Sequence, residues 1–353
     1  MAEDGAAPSL STRRSFEKGH GLVDVHHHYV TPQLEGFLAL HPSERVFPQM
    51  AWSVDQALED MDAAGVETAI LSQFLPYHLG TDAERRIVSR QLNESAARYA
   101  GDHPGRFGLF TCLPFPSVAD VLAEIAHGFD VLGADGVAMP TSVDNKWLGD
   151  PYFAPIYEEL NRRKAVVYTH PMTPACCVGL VPQVPEYVVE YAADTTRTIG
   201  SLLWSGTTER YPNIRFIFSH GGGAMPFLIE RFMAGTAEEV VPGIITKGKS
   251  PPFIPQQPAS GLMHELRRFY YDTAQCSNPI ALRALRDTVT SSQIVFGSDY
   301  WFRTAVETAH GLDTANVFSA EELVQVRHHN ALALFGHQPG CRLNCLSEHA
   351  FSS

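Results

Sequence analysis

Short runs of Val, Ile, Leu, Phe and Tyr alternate along this chain with longer stretches whose apolar residues recur at helical spacing. The first pattern is that of buried strands, the second that of amphipathic helices. Eight apolar runs stand at 22–25, 68–72, 107–112, 136–139, 165–169, 214–219, 269–273 and 294–297. Helical stretches fall near 54–64, 82–102, 117–132, 152–164, 185–205, 224–234, 279–288 and 320–335.

Eight such alternations predict a single-domain α/β protein, a (β/α)8 barrel of the TIM type. The barrel is expected over residues 21–337, with a flexible N-terminal tail at 1–20 and a C-terminal tail at 338–353, neither of which shows periodicity. A doubly wound sheet would instead need a Gly-rich phosphate turn after an early strand. None follows the first strand. Gly221-Gly222-Gly223 follows a late strand and a His, lacks that spacing, and reads as a tight turn beside a site.

At 353 residues and 44% hydrophobic content the chain can bury one large core. Its 26 basic residues against 39 acidic ones leave a net charge of -13, which argues against nucleic acid or an anionic membrane as partner. Six cysteines are sparse for this length, and adjacent Cys176-Cys177 do not suggest a disulfide framework. Cys341 and Cys345 lack the further ligands of a zinc finger and read as tail thiols. No apolar run approaches a membrane span and no signal-peptide core opens the chain, so a cytoplasmic setting is expected.

In a barrel the chemistry gathers at the C-terminal ends of the strands. The first run ends in His26-His27-His28, and on a strand residues i and i+2 share a face, so His26 and His28 aim at one point while His27 looks away. Alone, such a triplet reads as readily as an exposed turn. The fifth run, however, ends in His170, the sixth in His220 and the eighth in Asp299. Three imidazoles and a carboxylate suit one borderline divalent ion such as Zn²⁺, with Mn²⁺ and Fe²⁺ as alternatives. His220 reads either as a further ligand or as an unligated acid or base beside the ion.

With Asp24-x-His26-x-His28, Thr169-His170-Pro171, Ser219-His220-Gly221-Gly222-Gly223 and Gly297-Ser298-Asp299-Tyr300, the chain resembles the amidohydrolase-2 branch of the amidohydrolase superfamily. The likeness extends to Pro104-Gly105-Arg106-Phe107 and Tyr271-Asp272-Thr273-Ala274. Within that branch it is most similar to the aminocarboxymuconate semialdehyde decarboxylase group, which includes salicylate, methylsalicylate, resorcylate and carboxyvanillate decarboxylases. Trp147-Leu148-Gly149-Asp150-Pro151, Glu159-Leu160-Asn161-Arg162-Arg163 and Asp194-Thr195-Thr196-Arg197 resemble the members acting on 6-methylsalicylate-like acids.

The resemblance implies metal ligation by His26, His28, His170 and Asp299, with His220 as a catalytic residue. It also implies that Arg231, eleven residues after that His, reaches the substrate of a neighbouring subunit in a homodimer or dimer of dimers; a surface arginine at a helix end is the competing reading. The expected reaction is metal-dependent, non-oxidative decarboxylation of a small ortho-hydroxybenzoate, giving CO2 and a phenol. Asp299 or His220 would supply the proton, and Arg231 or Arg197 would pair with the anionic substrate. The alternative is a metal-dependent hydrolase or hydratase of a small lactone, ester or dicarboxylic acid. Two departures stand out: resorcylate-type enzymes carry a Glu where this chain has Gly223, and Tyr300 is followed by Trp301 and Phe302 rather than Pro. Those aromatics read as a wall for a small arene or as packing at the barrel rim.

Overall fold

The computed structural model describes residues 21–41, 52–233 and 258–336. The tails expected at 1–20 and 338–353, with Cys341 and Cys345, lie outside the described residues. Strands β1 (Leu22–His28), β2 (Val66–Ser72), β3 (Phe107–Cys112) and β4 (Gly136–Pro140) come first. A small antiparallel pair follows, β5 (Ser142–Val143) and β6 (Lys146–Trp147). Then come β7 (Val166–His170), β8 (Arg215–Phe218), β9 (Tyr270–Asp272) and β10 (Ile294–Val295). Apart from β5 and β6, the strands lie parallel in the order β1-β2-β3-β4-β7-β8-β9-β10 with helices between them, as the alternating pattern predicts.

The sheet closes on itself through the chain that follows β10. Val25 N–H donates to Phe296 O (3.0 Å), Asp299 N–H to His26 O (3.0 Å) and His28 N–H to Tyr300 O (3.2 Å). Asp24 locks the same seam from the side: its Oδ1 accepts from Ser298 N (2.9 Å) and its Oδ2 from Ser298 Oγ (2.6 Å). Barrel closure therefore brings Asp299 against His26 and His28.

β1 departs from simple alternation. From Asp24 to His27 it advances three residues while its partner β2 advances two, Ala69 to Leu71, so β1 carries a bulge. Val23 and Val25 pack inside the barrel with Ile70, Phe110, Ala138, Val166, Tyr168, Ile217 and Val295. A strict two-residue period would then turn His26 and His28 outward; the extra residue re-aims both inward. Leu22, Leu71, Leu109, Met139, Phe216, Phe218 and Phe296 face the surrounding helices in the larger core. Within the barrel, Phe335, Phe110, Tyr168 and His26 form a column with successive ring centroids 5.9, 5.3 and 5.3 Å apart. That column is a packed floor under the strand ends.

Helices Val54–Ala64, Asp82–Asp102 and Pro279–Thr288 occupy the expected bounds, because their ends carry explicit signals. Ser53 caps the first and Gly65 ends it at φ 74. Thr81 and Glu84 form a capping box, and Asn278 caps a helix with Pro279 in its first turn. Two expectations need correction. The helix expected at 224–234 starts only at Ile229 and is described as far as Met233, since Gly221, Gly222 and Gly223 all hold positive φ and the chain then runs through turns. The run at 320–335 is helical but contains a π-helical segment, Gln325–His329, between Ala320–Val324 and Asn330–Phe335. Helices Pro32–Ala39, Leu262–Leu266 and Ala305–Thr314 were not legible as separate periodic stretches.

Candidate metal centre

His26 and His28 end β1, His170 ends β7, and Asp299 follows β10, all at the same end of the barrel and all buried. One donor atom from each lies within 4.8 Å of the others. The Nε2 atoms of His26 and His28 are 3.1 Å apart, and Asp299 Oδ1 stands 3.1 Å from the first and 3.3 Å from the second. Ligands about 2.0–2.1 Å from one ion are separated by roughly 2.9–3.4 Å, so these edges match a shared cation. The His170 ring completes the cluster, its centroid 5.1 Å from that of His26 and 4.9 Å from that of His28.

The donor set fits a divalent ion on two further observations. Asp299 Oδ1 is buried and makes no hydrogen bond among the described residues, although two imidazole nitrogens face it. The outer nitrogens are held elsewhere: His26 Nδ1 meets Asp272 Oδ2 at 2.7 Å, and His28 Nδ1 meets Ser72 O at 3.3 Å. Both contacts place a proton on Nδ1 and leave the Nε2 lone pair directed into the cluster, as outer partners of metal-binding histidines do.

Charge follows the same logic. Burial drives the His170 imidazolium well below the ordinary histidine value, with the neighbouring imidazoles adding to the effect, and burial also lowers His28. Both are thus held neutral, the form in which an imidazole can ligate a metal. Burial opposes ionisation of Asp299, but His26, His220 and His28 outweigh it and hold the carboxyl well below the usual range. For His26 burial also works against charge, yet Asp299 and Asp272 override it and lift the imidazolium to about 10. Two buried carboxylates that draw a proton onto an imidazole mark a place that calls for positive charge, which a divalent ion held by these residues would supply in place of that proton.

Of the other residues singled out in the sequence, His220 joins the cluster and His27 leaves it. His220 Nε2 is 3.4 Å from Asp299 Oδ2, and its ring lies 5.2 Å from that of His26. His27 stacks on Tyr300 at 4.2 Å and 13°, facing away from the donors. Tyr300 in turn donates to Asp60 Oδ2 (2.6 Å), so this aromatic is rim packing. Phe302 faces the site, its ring 5.7 Å from His28, and Phe74 stacks at 5.2 Å on His170. Arg197, on helix Glu186–Trp204, lies 3.7 Å from Glu190 Oε2 and 3.8 Å from Asp194 Oδ1. Arg231 is exposed on helix Ile229–Met233. Gly223 has φ 66, and a Cβ there would lie 2.2 Å from Ala192 O, so the approach of helix Glu186–Trp204 leaves no room for a side chain.

Two residues of the site were missed. Asp272 binds His26 through Oδ2 and accepts the backbone N–H groups of His220 (2.8 Å) and Ala274 (3.0 Å) through Oδ1. Its position at the end of the seventh barrel strand was the signal available. Gln275 donates from Nε2 to Asp299 Oδ2 at 2.8 Å, and nothing in its local sequence marks it. Gln275, His220 and Asp299 all hold left-handed backbone, at φ 57, 55 and 64, so strain is concentrated at this end of the barrel.

A closed parallel barrel with three imidazoles and a carboxylate converging at its strand ends is the architecture of a barrel enzyme whose site could hold a metal ion. Over residues 23–337 the chain matches the amidohydrolase family, and it belongs to that family. It is 34% identical to a 6-methylsalicylic acid decarboxylase of Penicillium expansum, over 79% of this chain and 84% of that protein. It is 31% identical to the decarboxylase yanB of Aspergillus niger, over 79% and 76%. In fold it resembles a dihydroxybenzoic acid decarboxylase of Polaromonas sp. solved with bound manganese and 2-nitroresorcinol, with a TM-score of 0.74, 18% identity, and coverage of 90% of this chain and 97% of that one.

Proposed function

We propose that this chain is a metal-dependent, non-oxidative carboxy-lyase that converts a small ortho-hydroxybenzoate, such as 6-methylsalicylate, to CO2 and a phenol. The observation that carries this is the His26, His28, His170 and Asp299 cluster in a chain whose relatives are named decarboxylases. Those relatives favour a lyase over a hydrolase or hydratase on the same scaffold. The proposed domain runs from residue 21 to 337, close to the family match.

His26, His28, His170 and Asp299 would hold the ion. The three-imidazole, one-carboxylate set supports Zn²⁺, and the manganese of the Polaromonas protein supports Mn²⁺ as the competing occupant. When bound, the ion acts as a Lewis acid toward the ortho oxygen of the substrate. The remaining chemistry belongs to the side chains. Direct loss of CO2 leaves charge in an sp² orbital that the ring cannot delocalise, so the carboxylate-bearing carbon must first be protonated. Asp299 is held as an anion in the resting site, so the proton would come from the imidazolium form of His220, which becomes a neutral imidazole, crossing the 3.4 Å gap to Oδ2 and passing from there to carbon. Release of CO2 then restores the aromatic ring. Phe74 and Phe302 flank the opening and offer apolar surface to the arene.

The substrate carboxylate needs a cation. Arg197 already faces two carboxylates, so exposed Arg231, contributed across a homodimer or dimer of dimers, is the stronger choice. The setting proposed is cytoplasmic, in keeping with the free thiols of Cys112, Cys176, Cys177 and Cys276. Among the described residues no helix is long and apolar enough to cross a membrane.

The test is CO2 release from a panel of ortho-hydroxybenzoates by the metal-loaded protein, with muconate and lactone controls. Lactone hydrolysis without CO2 from any acid overturns the proposal.

A further inference from the structure

Asp299 presents its two oxygens to different neighbours. Oδ1 faces His26 and His28; Oδ2 receives Gln275 Nε2 at 2.8 Å and lies 3.4 Å from His220 Nε2. Gln275 is itself exposed, three residues beyond Asp272, and reaches inward from a left-handed backbone at φ 57 to a carboxylate that is only 4% exposed. An exposed glutamine gains little by holding this conformation for packing. What it does hold is the rotation of one carboxylate.

We propose that Gln275 is a positioning residue for Asp299. Its amide occupies one lone pair of Oδ2 and fixes the carboxylate plane, so that Oδ1 stays aimed at the ion and the rest of Oδ2 stays open to His220. A neutral donor suits this role, because it steadies the anion without supplying a competing charge, and His220 is left at a distance from which it can still engage the substrate. Without the amide, the carboxylate is free to turn, carrying Oδ1 away from the His26 and His28 nitrogens and Oδ2 away from His220. The role in turnover rests on the carboxy-lyase function proposed above; the effect on the metal site does not.

The experiment compares Gln275→Met, which keeps the length and removes the donor, with wild type and Gln275→Asn after loading with Co²⁺. The visible d–d bands of the Co²⁺ protein report the orientation of the carboxylate ligand in the absence of substrate. Gln275→Met is expected to shift these bands and to lower kcat by about tenfold or more with KM within about threefold, the scale typical of outer partners of metal ligands. Gln275→Asn, which retains an amide on a shorter arm, should recover part of both effects. Equal thermal melting of the variants, expected for an exposed position, separates positioning from folding. Unshifted Co²⁺ bands in Gln275→Met overturn the proposal, whatever turnover does, and so does a protein that takes up no Co²⁺. Shifted bands in a protein that releases no CO2 from any acid would leave Gln275 in its role and remove the proposed reaction instead.

Discussion

His26 and Asp272 lie 246 residues apart in the chain and meet at 2.7 Å, Nδ1 to Oδ2, with neither side chain reached by solvent. The same carboxylate anchors the backbone of His220 through Oδ1. One residue at the end of β9 therefore aims a proposed ligand and fixes the strained turn that carries the proposed acid–base group. Errors of position at either would be felt at both.

Replacing Asp272 with Asn keeps the volume and removes one charged acceptor. Metal affinity should fall about 10–100-fold, measured by competition with a chelator of known affinity. Asp272→Ala should in addition destabilise the protein by about 1–3 kcal/mol, because the amides of His220 and Ala274 lose their acceptor. Wild-type affinity in Asp272→Asn would mean that His26 is oriented by β1 alone.

Much of this site was legible in the sequence, and the parts that were not have physical reasons. His26, His28, His170 and Asp299 stand out because apolar strands end in them, and the helix bounds at 54–64 and 82–102 follow from caps that act locally. The β1 bulge is different. On a strict two-residue period, Val23 and Val25 inside the barrel contradict His26 and His28 inside it, and only pairing with β2 resolves the conflict. Asp272 and Gln275 act through partners far away in sequence, so no local period encodes them. The late start of helix Ile229–Met233 likewise reflects three glycines held at positive φ, one of them pressed against Ala192 on another helix.

Removal of the ion should make stability depend on alkaline pH. In the metal-free site the His26 imidazolium is lifted from 6.5 to about 10, so its contribution is complete below about 6.5 and disappears as pH rises toward 10. Asp299 has the opposite sign: its depressed value stabilises the fold above its unfolded value of 3.8 and is lost as pH falls through the folded one. Chelator-treated protein should therefore show a falling Tm between pH 7 and 10, while loaded protein, whose ion replaces the proton, should not. Parallel Tm curves for the two forms would contradict the displacement of a proton by the metal.

His220 and Asp299 should separate when metal content is measured beside turnover. His220→Ala removes a residue outside the four proposed ligands, so the ion should remain while kcat falls by about 10²–10⁴-fold. Asp299→Asn should lower both, because the same carboxylate is the proposed ligand and the proposed proton carrier. Full metal occupancy with undiminished CO2 release in Asp299→Asn would end its assignment to either role.

Phe302 is half-buried with its ring 5.7 Å from His28 and nearly perpendicular to it. If it walls the arene, Phe302→Ala should raise KM about 5–10-fold, the equivalent of roughly 1–1.5 kcal/mol of aromatic contact, with kcat within about twofold. Initial rates across a substrate series decide this. An unchanged KM would return Phe302 to rim packing with its stacked neighbour Trp301.

Arg231, exposed on helix Ile229–Met233, offers the sharpest test of the proposed assembly, in which a second copy receives it. Arg231→Ala and His220→Ala should each be nearly inactive as pure proteins. When they are mixed and allowed to exchange subunits, about half of the dimers pair one copy of each, and each such dimer holds one site with both lesions and one with neither. Activity should then recover to about a quarter of wild type. If Arg231 serves its own chain, every site in the mixture carries one lesion or the other, and no activity returns. Recovery that depends on the time of exchange, read as CO2 released per site, separates the two arrangements without requiring the substrate pose.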